Sequence, residues 1–295
     1  MSIRDQGYTR YEGDLTAGAP AFWVIATQGL SHYWGFLRTK LLFIVMLIVP
    51  VLFSIATFAE QAVRKMFGGA GEEQLSGFFE YAFGVSEIWM VALVFAASGC
   101  GVIAEDMRHQ TIQLYFSKPI TRMDYVAGKF LSLVMLGALV SLLPYVVVGT
   151  LRALIFIPKP FFTDALKNIA LLGLFNVVLL VVFSAMVMAL SCLTRRTGFV
   201  VLMWLGSLLI PSMVSTGVAL ARKGEAWTDL ISIAASMSTT LKVMVGYTGM
   251  QAPGELAAPE LPEYMTYAPW GVLAAVVIAA ASVIYWRTSK LEGIA

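Results

Sequence analysis

Six long apolar stretches alternate with shorter polar segments along the chain. Each stretch is uncharged and is close to, or somewhat above, the ~20 residues that a helix needs to cross the hydrocarbon core of a bilayer. They cover residues 41–59, 88–104, 130–151, 168–194, 197–221 and 264–286. The pattern predicts an all-α, polytopic membrane protein with six transmembrane helices, and the even number places both termini on one side.

The segments outside these stretches predict the remaining organisation. Residues 1–20 form a polar tail and residues 287–295 a second tail, so the transmembrane domain is expected to cover residues 41–286. Residues 21–40 carry a mixed apolar stripe with Trp23 and Trp34, which favours an interfacial helix before the first span. The outer segment 222–263 contains a short apolar piece that cannot span a bilayer, which indicates short re-entrant helices between helices 5 and 6.

Composition narrows the class of protein. Hydrophobic residues make up 59%, charged residues 13%, and the mean hydropathy is +0.79, values that indicate an integral membrane protein. A net charge of +2 with scattered basic residues does not favour nucleic-acid binding. Lys and Arg are concentrated in the short loops on the side of the termini, so we expect a multi-pass protein of the cytoplasmic (inner) membrane with both termini cytoplasmic. Cys100 and Cys192 are interpreted as buried packing residues.

A charged segment, residues 101–129, separates the second and third stretches. Apolar positions within 105–116 recur at helical spacing, which predicts a short amphipathic helix there. Pro119 then ends the helix, because a proline disfavours the α conformation in the residue before it. Thr121 and Asp124 have the spacing of a capping box, so a new helix is expected to start after Thr121.

Catalytic groups are absent from the six predicted spans. None contains an acidic, basic or His residue, which argues against paired carboxylates, a metal site or a proton relay. Glu87 is placed just outside the second span, and Asn176 is interpreted as a helix-to-helix hydrogen-bonding residue. The outer methionines (Met237, Met244, Met250 and Met265) fit no compact metal site. No phosphate-binding loop is present, so ATP, if used, is bound by another chain, and this chain is not itself an enzyme.

The 101–129 segment resembles the signature of the ABC-2 type permeases, the membrane subunits of one class of ATP-binding-cassette transporter. The matching positions are Gly101, Glu105, Thr111, Ser117, Lys118, Pro119, Ile120, Arg122, Tyr125, Gly128 and Lys129. Within that family, the sequence looks most similar to the group that includes the membrane subunit of the nitrous-oxide-reductase maturation transporter.

This resemblance implies a pair of permease subunits, as a homodimer or heterodimer, with two copies of a separate ATPase subunit that bind ATP and Mg²⁺. Residues 105–116 would be the coupling helix that contacts the ATPase, with residues 21–40 as the connecting helix beside it. Glu105, Arg108 and Thr111 would carry the ATPase contact, and Arg122 and Asp124 would set the turn. The expected function is a permease that moves a substrate, by export, using ATP hydrolysed by its partner.

A second hypothesis, from another class, is a non-transporting membrane scaffold that recruits an ATPase or partner protein. The uncharged spans favour it, because they show no obvious substrate site. Nucleotide-dependent movement of cargo in a reconstituted complex would separate the two.

Overall fold

The computed structural model describes residues 20–66, 78–111, 120–156, 162–221, 226–245 and 262–292. Every regular element in these ranges is a helix. The α-helices are α1 Ala21–Gly35, α2 Leu37–Met66, α3 Phe78–Val94, α4 Ala104–Arg108, α5 Arg122–Gly137, α6 Leu143–Phe156, α7 Phe162–Ser191, α8 Thr197–Ala221, α9 Ile233–Val245 and α10 Ala268–Glu292. Two π-helical segments, Phe95–Gly99 and Ala138–Leu142, and two 3₁₀ segments, Ala226–Ile231 and Glu263–Thr266, complete the described elements.

Five helical stretches in the described part of the chain are long and apolar enough to cross a membrane. They are Gly84–Arg108, Arg122–Leu151, Leu166–Ser191, Thr197–Ala221 and Ala268–Arg287. These five correspond to the second to sixth spans predicted from sequence. The first predicted span, 41–59, lies within the 30-residue helix α2, whose side chains are described only in part. A count of six therefore stays a prediction.

The second span begins earlier than the sequence pattern predicted. The predicted span 88–104 starts one residue after Glu87, whereas α3 already begins at Phe78. Glu87 is consequently a buried residue inside the helical bundle, with only 1% of its surface exposed. The prediction that the spans carry no acidic residue is wrong at this position. One oxygen of its carboxyl group accepts hydrogen bonds from polar side chains of neighbouring helices.

Two π-helical turns interrupt spans that the sequence predicts to be regular. Within the first, Ser98 shares a 2.7 Å hydrogen bond with Thr39 of α2, and just before it the carbonyl of Ala92 accepts from the Trp204 indole at 2.9 Å. The second contains Ser141, which bonds to side chains of α3 and α7. Both turns thus occur where a neighbouring helix supplies polar partners.

The connecting segment is divided differently from the prediction of one helix over 21–40. α1 ends at Gly35, and Phe36 adopts an extended backbone before α2 starts at Leu37. The ring of Phe36 lies in edge contact with His32 and under the guanidinium of Arg38. These contacts fix the corner between a helix that lies beside the bundle and one that enters it.

The outer segment contains a short helix, as predicted, although its re-entrant character remains a prediction. α9 has 13 residues, too few to span a bilayer, and its polar residues Ser236, Thr239 and Thr240 are buried against the protein. Thr239 donates to Asp229 at 2.8 Å. Residues 222–225 and 246–261 of the predicted segment lie outside the described residues.

Candidate functional site

The charged segment lies at one end of the helical bundle, which we call the basic end. Here α4, the start of α5, the end of α7, the start of α8 and the end of α10 come together. The Arg287 side chain of α10 donates to the carbonyls of Cys192 and Leu193, at 3.1 and 3.4 Å, just after α7. Arg108 of α4 lies near Arg195 and Arg196 at the start of α8. Basic residues of α4, of α10 and of the turn before α8 are thereby gathered at this end.

Helix α4 has only five residues, so it depends on tertiary contacts for its stability. The hydroxyl of Ser191, at the end of α7, accepts from the backbone N–H groups of Ile103 and Ala104 at 3.0 and 2.9 Å. The same hydroxyl donates to the carbonyl of Cys100 at 3.0 Å. One buried serine thus satisfies the backbone at the turn that leads into α4 and attaches α4 to the bundle.

Glu105 is folded back against Gly101. A Cβ atom on residue 101 would lie 2.6 Å from Oε1 of Glu105, so a larger residue here would displace the end of this side chain. The Glu105 side chain remains 44% exposed, and its Oε2 lies 4.0 Å from Nε2 of His32 on α1. The carboxylate is therefore open to a partner.

Asp106 contacts three other residues of the site, although it was not among the predicted site residues. Its Oδ2 lies 2.6 Å from Nζ of Lys129 and accepts from the hydroxyl of Tyr125 at 2.7 Å. Its Oδ1 and backbone carbonyl accept from the Thr111 hydroxyl at 3.2 and 3.3 Å. The Lys129 ammonium also lies 5.7 Å from the Tyr125 ring centre, within the range of a cation–π contact. Asp106 consequently joins α4 to α5.

Helix α1 packs closely along α5. A Cβ on Gly128 would lie 2.7 Å from Cβ of Ile25 and 2.8 Å from the carbonyl oxygen of Phe22. A Cβ on Gly29 would lie 2.8 Å from that of Ser132. The two glycines allow the helix backbones to approach, so α1, α4 and α5 form one connected unit at the basic end.

The predicted helix 105–116 is not continuous. α4 ends at Arg108, and Gln110 takes a left-handed backbone conformation with φ of 56°. Few residues other than glycine and asparagine adopt such a φ readily. Here the hydrogen bonds from the Thr111 hydroxyl to Asp106 close the turn. Residues 112–119, which include the remainder of the predicted coupling helix and Ser117 to Pro119, lie outside the described residues.

The capping box at the start of α5 is confirmed. The Thr121 hydroxyl accepts from the Asp124 N–H at 3.1 Å, and the Asp124 carboxylate accepts from the Thr121 N–H at 3.2 Å. Arg122 is the first residue of α5 and is partly exposed. Arg122 and Asp124 therefore lie at a well-defined helix start, as the sequence predicts for the turn.

An open cavity of about 740 Å³ lies beside α4. Its lining residues are Arg108, Arg195, Arg196, Thr197, Gly198, Phe199 and Leu202. Arg108 is exposed and opens onto this cavity, whereas Glu105 faces α1 and Thr111 bonds to Asp106. The three residues predicted for partner contact are thus close in sequence but lie in different surroundings.

The residues that the sequence analysis missed had weak signals. Asp106 is one of several charges in the segment, and only its pairing with Lys129, 23 residues later, distinguishes it. Ser191 is one serine among many in the apolar runs. Within the described residues, no group of three or more His, Cys, Asp or Glu side chains is placed to hold a metal ion. Cys100 and Cys192 are free and buried, which confirms their interpretation as packing residues.

Comparison with models of known protein families assigns most of the chain to a family. A family model described as an ABC-2 family transporter protein matches residues 33–286, which is most of the chain. No curated protein matches the sequence. The matched region includes α2 to α9, the full 101–129 segment and most of α10.

Proposed function

Because the chain belongs to the ABC-2 family of transporter proteins, and so is the membrane permease component of an ATP-binding-cassette transporter, we propose that it exports a substrate across the cytoplasmic membrane. The energy comes from ATP that two copies of a separate ATPase subunit bind, with Mg²⁺, and hydrolyse. This chain supplies the path and the ATPase-docking surface.

The observation that carries the proposal is the joining of α4 to α5 through Asp106 and Lys129. α4 presents an exposed Arg108 and a half-exposed Glu105 at the surface, while Asp106 on the same short helix is tied to α5. A force applied to α4 by a docked subunit is therefore transmitted to α5, whose continuation forms a span. Contact between α1 and α5 carries the same displacement to the connecting helix.

The basic end is proposed to face the cytoplasm. Positive residues near the ends of spans favour retention on the cytoplasmic side, and those at this end are Arg108, Lys129, Arg195, Arg196 and Arg287. This orientation places α4 where a soluble ATPase can reach it. It also places both termini in the cytoplasm if α2 is the first of six spans.

Assembly with a second permease subunit is part of the proposal. The spans in α8 and α10 are the least buried, with 17% and 22% of their apolar windows inside the protein. Exposed apolar side chains such as Leu202, Ile210 and Met213 give α8 a surface suited to lipid or to another subunit.

The resemblance of residues 101–129 supports the narrower placement beside nitrous-oxide-reductase maturation permeases.

The mechanism follows from a difference in packing. ATP-driven closure of the ATPase pair would favour one arrangement of α4 and α5 over another, and the permease would shift between two packings that open a path on alternate sides. ATP must favour one packing for any such shift to occur.

The test is purification of the tagged full-length chain from its native membrane, with identification of the co-purified proteins. We expect an ATP-binding-cassette ATPase with the wild type, in a two-to-two complex by native mass measurement, and loss of the ATPase with Glu105→Arg. Glu263→Arg is the control, because Glu263 is an exposed acid near the start of α10, whose other end belongs to the basic end.

Reconstitution then separates transport from scaffolding. Nucleotide-dependent movement of a substrate supports the permease function, whereas a tight complex that hydrolyses ATP without any movement supports the scaffold. Failure of any ATPase to co-purify in several mild detergents would overturn the docking assignment.

A further inference from the structure

Three polar side chains from three separate helical segments meet inside the membrane domain. They are Glu87 of α3, Ser141 of the second π-helical segment and Asn176 of α7, exposed by only 1%, 2% and 0%. Glu87 and Asn176 are 89 residues apart in sequence. An ionisable group at such a position is expensive, so its presence in a spanning helix is a functional hypothesis by default.

The hydrogen bonds in this cluster use every donor hydrogen that its side chains have. Oε1 of Glu87 accepts from the Ser141 hydroxyl at 2.5 Å and from the Asn176 amide nitrogen. The same amide nitrogen donates to the Ser141 oxygen at 2.7 Å. These bonds use the hydroxyl hydrogen and both amide hydrogens. The cluster therefore has no donor left to offer.

Two buried oxygens in the cluster have no hydrogen-bond partner among the described residues: Oε2 of Glu87 and Oδ1 of Asn176. A carboxylate oxygen and an amide oxygen are both acceptors, so what they lack is a hydrogen-bond donor or a cation. A buried carboxylate without a compensating charge is also strongly unfavourable. A cation beside these two oxygens would therefore neutralise the carboxylate and also give both oxygens the partner that they lack.

Among the side chains that the structure describes, no cationic group hydrogen-bonds to the carboxylate, whose two partners, Ser141 and Asn176, are neutral. Among the described side chains of the helices that contact α3, the cations are Arg38 and Lys40 on α2 and Lys167 on α7, all exposed, and Lys242 on α9, which is partly exposed. Leu172 and Leu241, on the same two helices, contact α3 at Gly84, almost one turn before Glu87.

We propose that Glu87, Ser141 and Asn176 form a binding site for one small monovalent cation, either Na⁺ or a proton. A single carboxylate matches one positive charge, whereas sites for divalent ions such as Ca²⁺ use more oxygen ligands and more charge. Na⁺ would be held by oxygens of all three residues. A proton would be carried on Oε2 of Glu87, which would then donate to a neighbouring acceptor.

The site has a consequence for conformational change. Its ligands come from α3, from the π turn between α5 and α6, and from α7, so the cation binds best when these three segments are together. A cation that prefers one packing shifts the equilibrium toward that packing. The site is built from residues remote from α4 and stands whether or not an ATPase docks there.

The experiment uses the purified full-length protein in detergent. Thermal unfolding is measured in NaCl and in choline chloride at the same ionic strength, and the infrared spectrum is searched for the carbonyl stretch of a protonated carboxylic acid. The variant is Glu87→Gln, and the matched acid-to-amide control is Asp229→Asn in the outer segment, whose carboxylate bonds to Thr239.

Two results would support the proposal, and they distinguish Na⁺ from a proton as the bound cation. For Na⁺, the unfolding midpoint of the wild type and of the control rises with NaCl, and that of Glu87→Gln does not. For a proton, the midpoint is independent of Na⁺, and the wild type and control show a protonated-acid band that Glu87→Gln lacks. If Glu87→Gln does not accumulate, Ser141→Ala takes its place and should weaken the Na⁺ response or shift the acid band.

The proposal is overturned if unfolding is independent of Na⁺ and no protonated-acid band depends on the cluster. Glu87 would then be an ionised structural group, stabilised by buried water. Equilibrium binding of radioactive Na⁺ to the wild type, measured in parallel, tests the Na⁺ form without any substitution.

Discussion

Lys129 and Asp106 form an ion pair that is largely withdrawn from solvent, with Nζ 2.6 Å from Oδ2 and only 12% and 16% of the two side chains exposed. The pair joins a five-residue helix at the surface to a helix that continues into a span. Because Tyr125 donates to the same carboxylate oxygen, the aspartate is fixed in position as well as in charge. The pair is therefore a direct side-chain link between the proposed docking surface and the span that begins with α5.

Removing one member of this pair should destabilise the protein and break the link between α4 and α5. We expect Lys129→Met to lower the free energy of unfolding by about 3 kcal/mol, the lower end for breaking a buried pair, since both side chains keep some exposure. Thermal unfolding measures this, with the exposed Lys40→Met as the control. A double-mutant cycle with Asp106→Asn should show a coupling energy of at least about 0.5 kcal/mol, and strict additivity would contradict the link.

Gly128→Ala should separate α1 from α5. The added Cβ would lie under 3 Å from both Ile25 and the backbone of Phe22, so one helix must shift, at about 1–3 kcal/mol. The matched control is Gly173→Ala in α7, where nothing lies within 4 Å of the new Cβ. That control should be neutral or stabilising, because alanine favours a helix over glycine by about 1 kcal/mol. Equal destabilisation by the two variants would show that the close approach of α1 has no energetic weight.

Arg287→Leu should open the end of α7. The Arg287 side chain donates to the carbonyl of Cys192, whose own side chain is fully buried. A cationic group at a helix C-terminus contributes about 0.3–1 kcal/mol, so local opening should become up to about fivefold more frequent. Maleimide labelling of Cys192 in a Cys100→Ser background measures this opening. An unchanged labelling rate would mean that the contact does not protect this end.

Local features of the fold could be predicted from the sequence, and features that depend on distant partners could not. The capping box of Thr121 and Asp124 involves residues three apart, so its spacing is visible in the chain. The apolar runs predicted five of the observed spans for the same reason, since length and composition are local properties.

The errors occurred where tertiary contacts override the local pattern. Glu87 was placed outside the bilayer because an isolated charge is costly there, yet Ser141 and Asn176 meet it from other helices. The break at Gln110 is held by Thr111 and Asp106, and no glycine marks it in the sequence. Of the polar residues within the spans, Asn176 was correctly expected to bond between helices, although its partner Glu87 was not anticipated.

Ser191 and Ser184 provide the last prediction, because both are fully buried serines of α7 with opposite surroundings. Ser191 satisfies two backbone N–H groups and one carbonyl, whereas the Ser184 hydroxyl has no partner among the described residues. Ser191→Ala leaves buried donors unsatisfied, each at about 1–3 kcal/mol, so we expect lower stability and faster hydrogen exchange at Ile103 and Ala104.

Ser184→Ala removes a hydroxyl that gains nothing from burial, so it should be neutral or stabilising by up to about 1 kcal/mol. Thermal unfolding and amide exchange of the two variants, prepared in the same detergent, give the comparison. If exchange at Ile103 and Ala104 were equal in both, α4 would not depend on Ser191. The docking surface would then be held to the bundle by other contacts, such as the Asp106–Lys129 pair and the buried Met107.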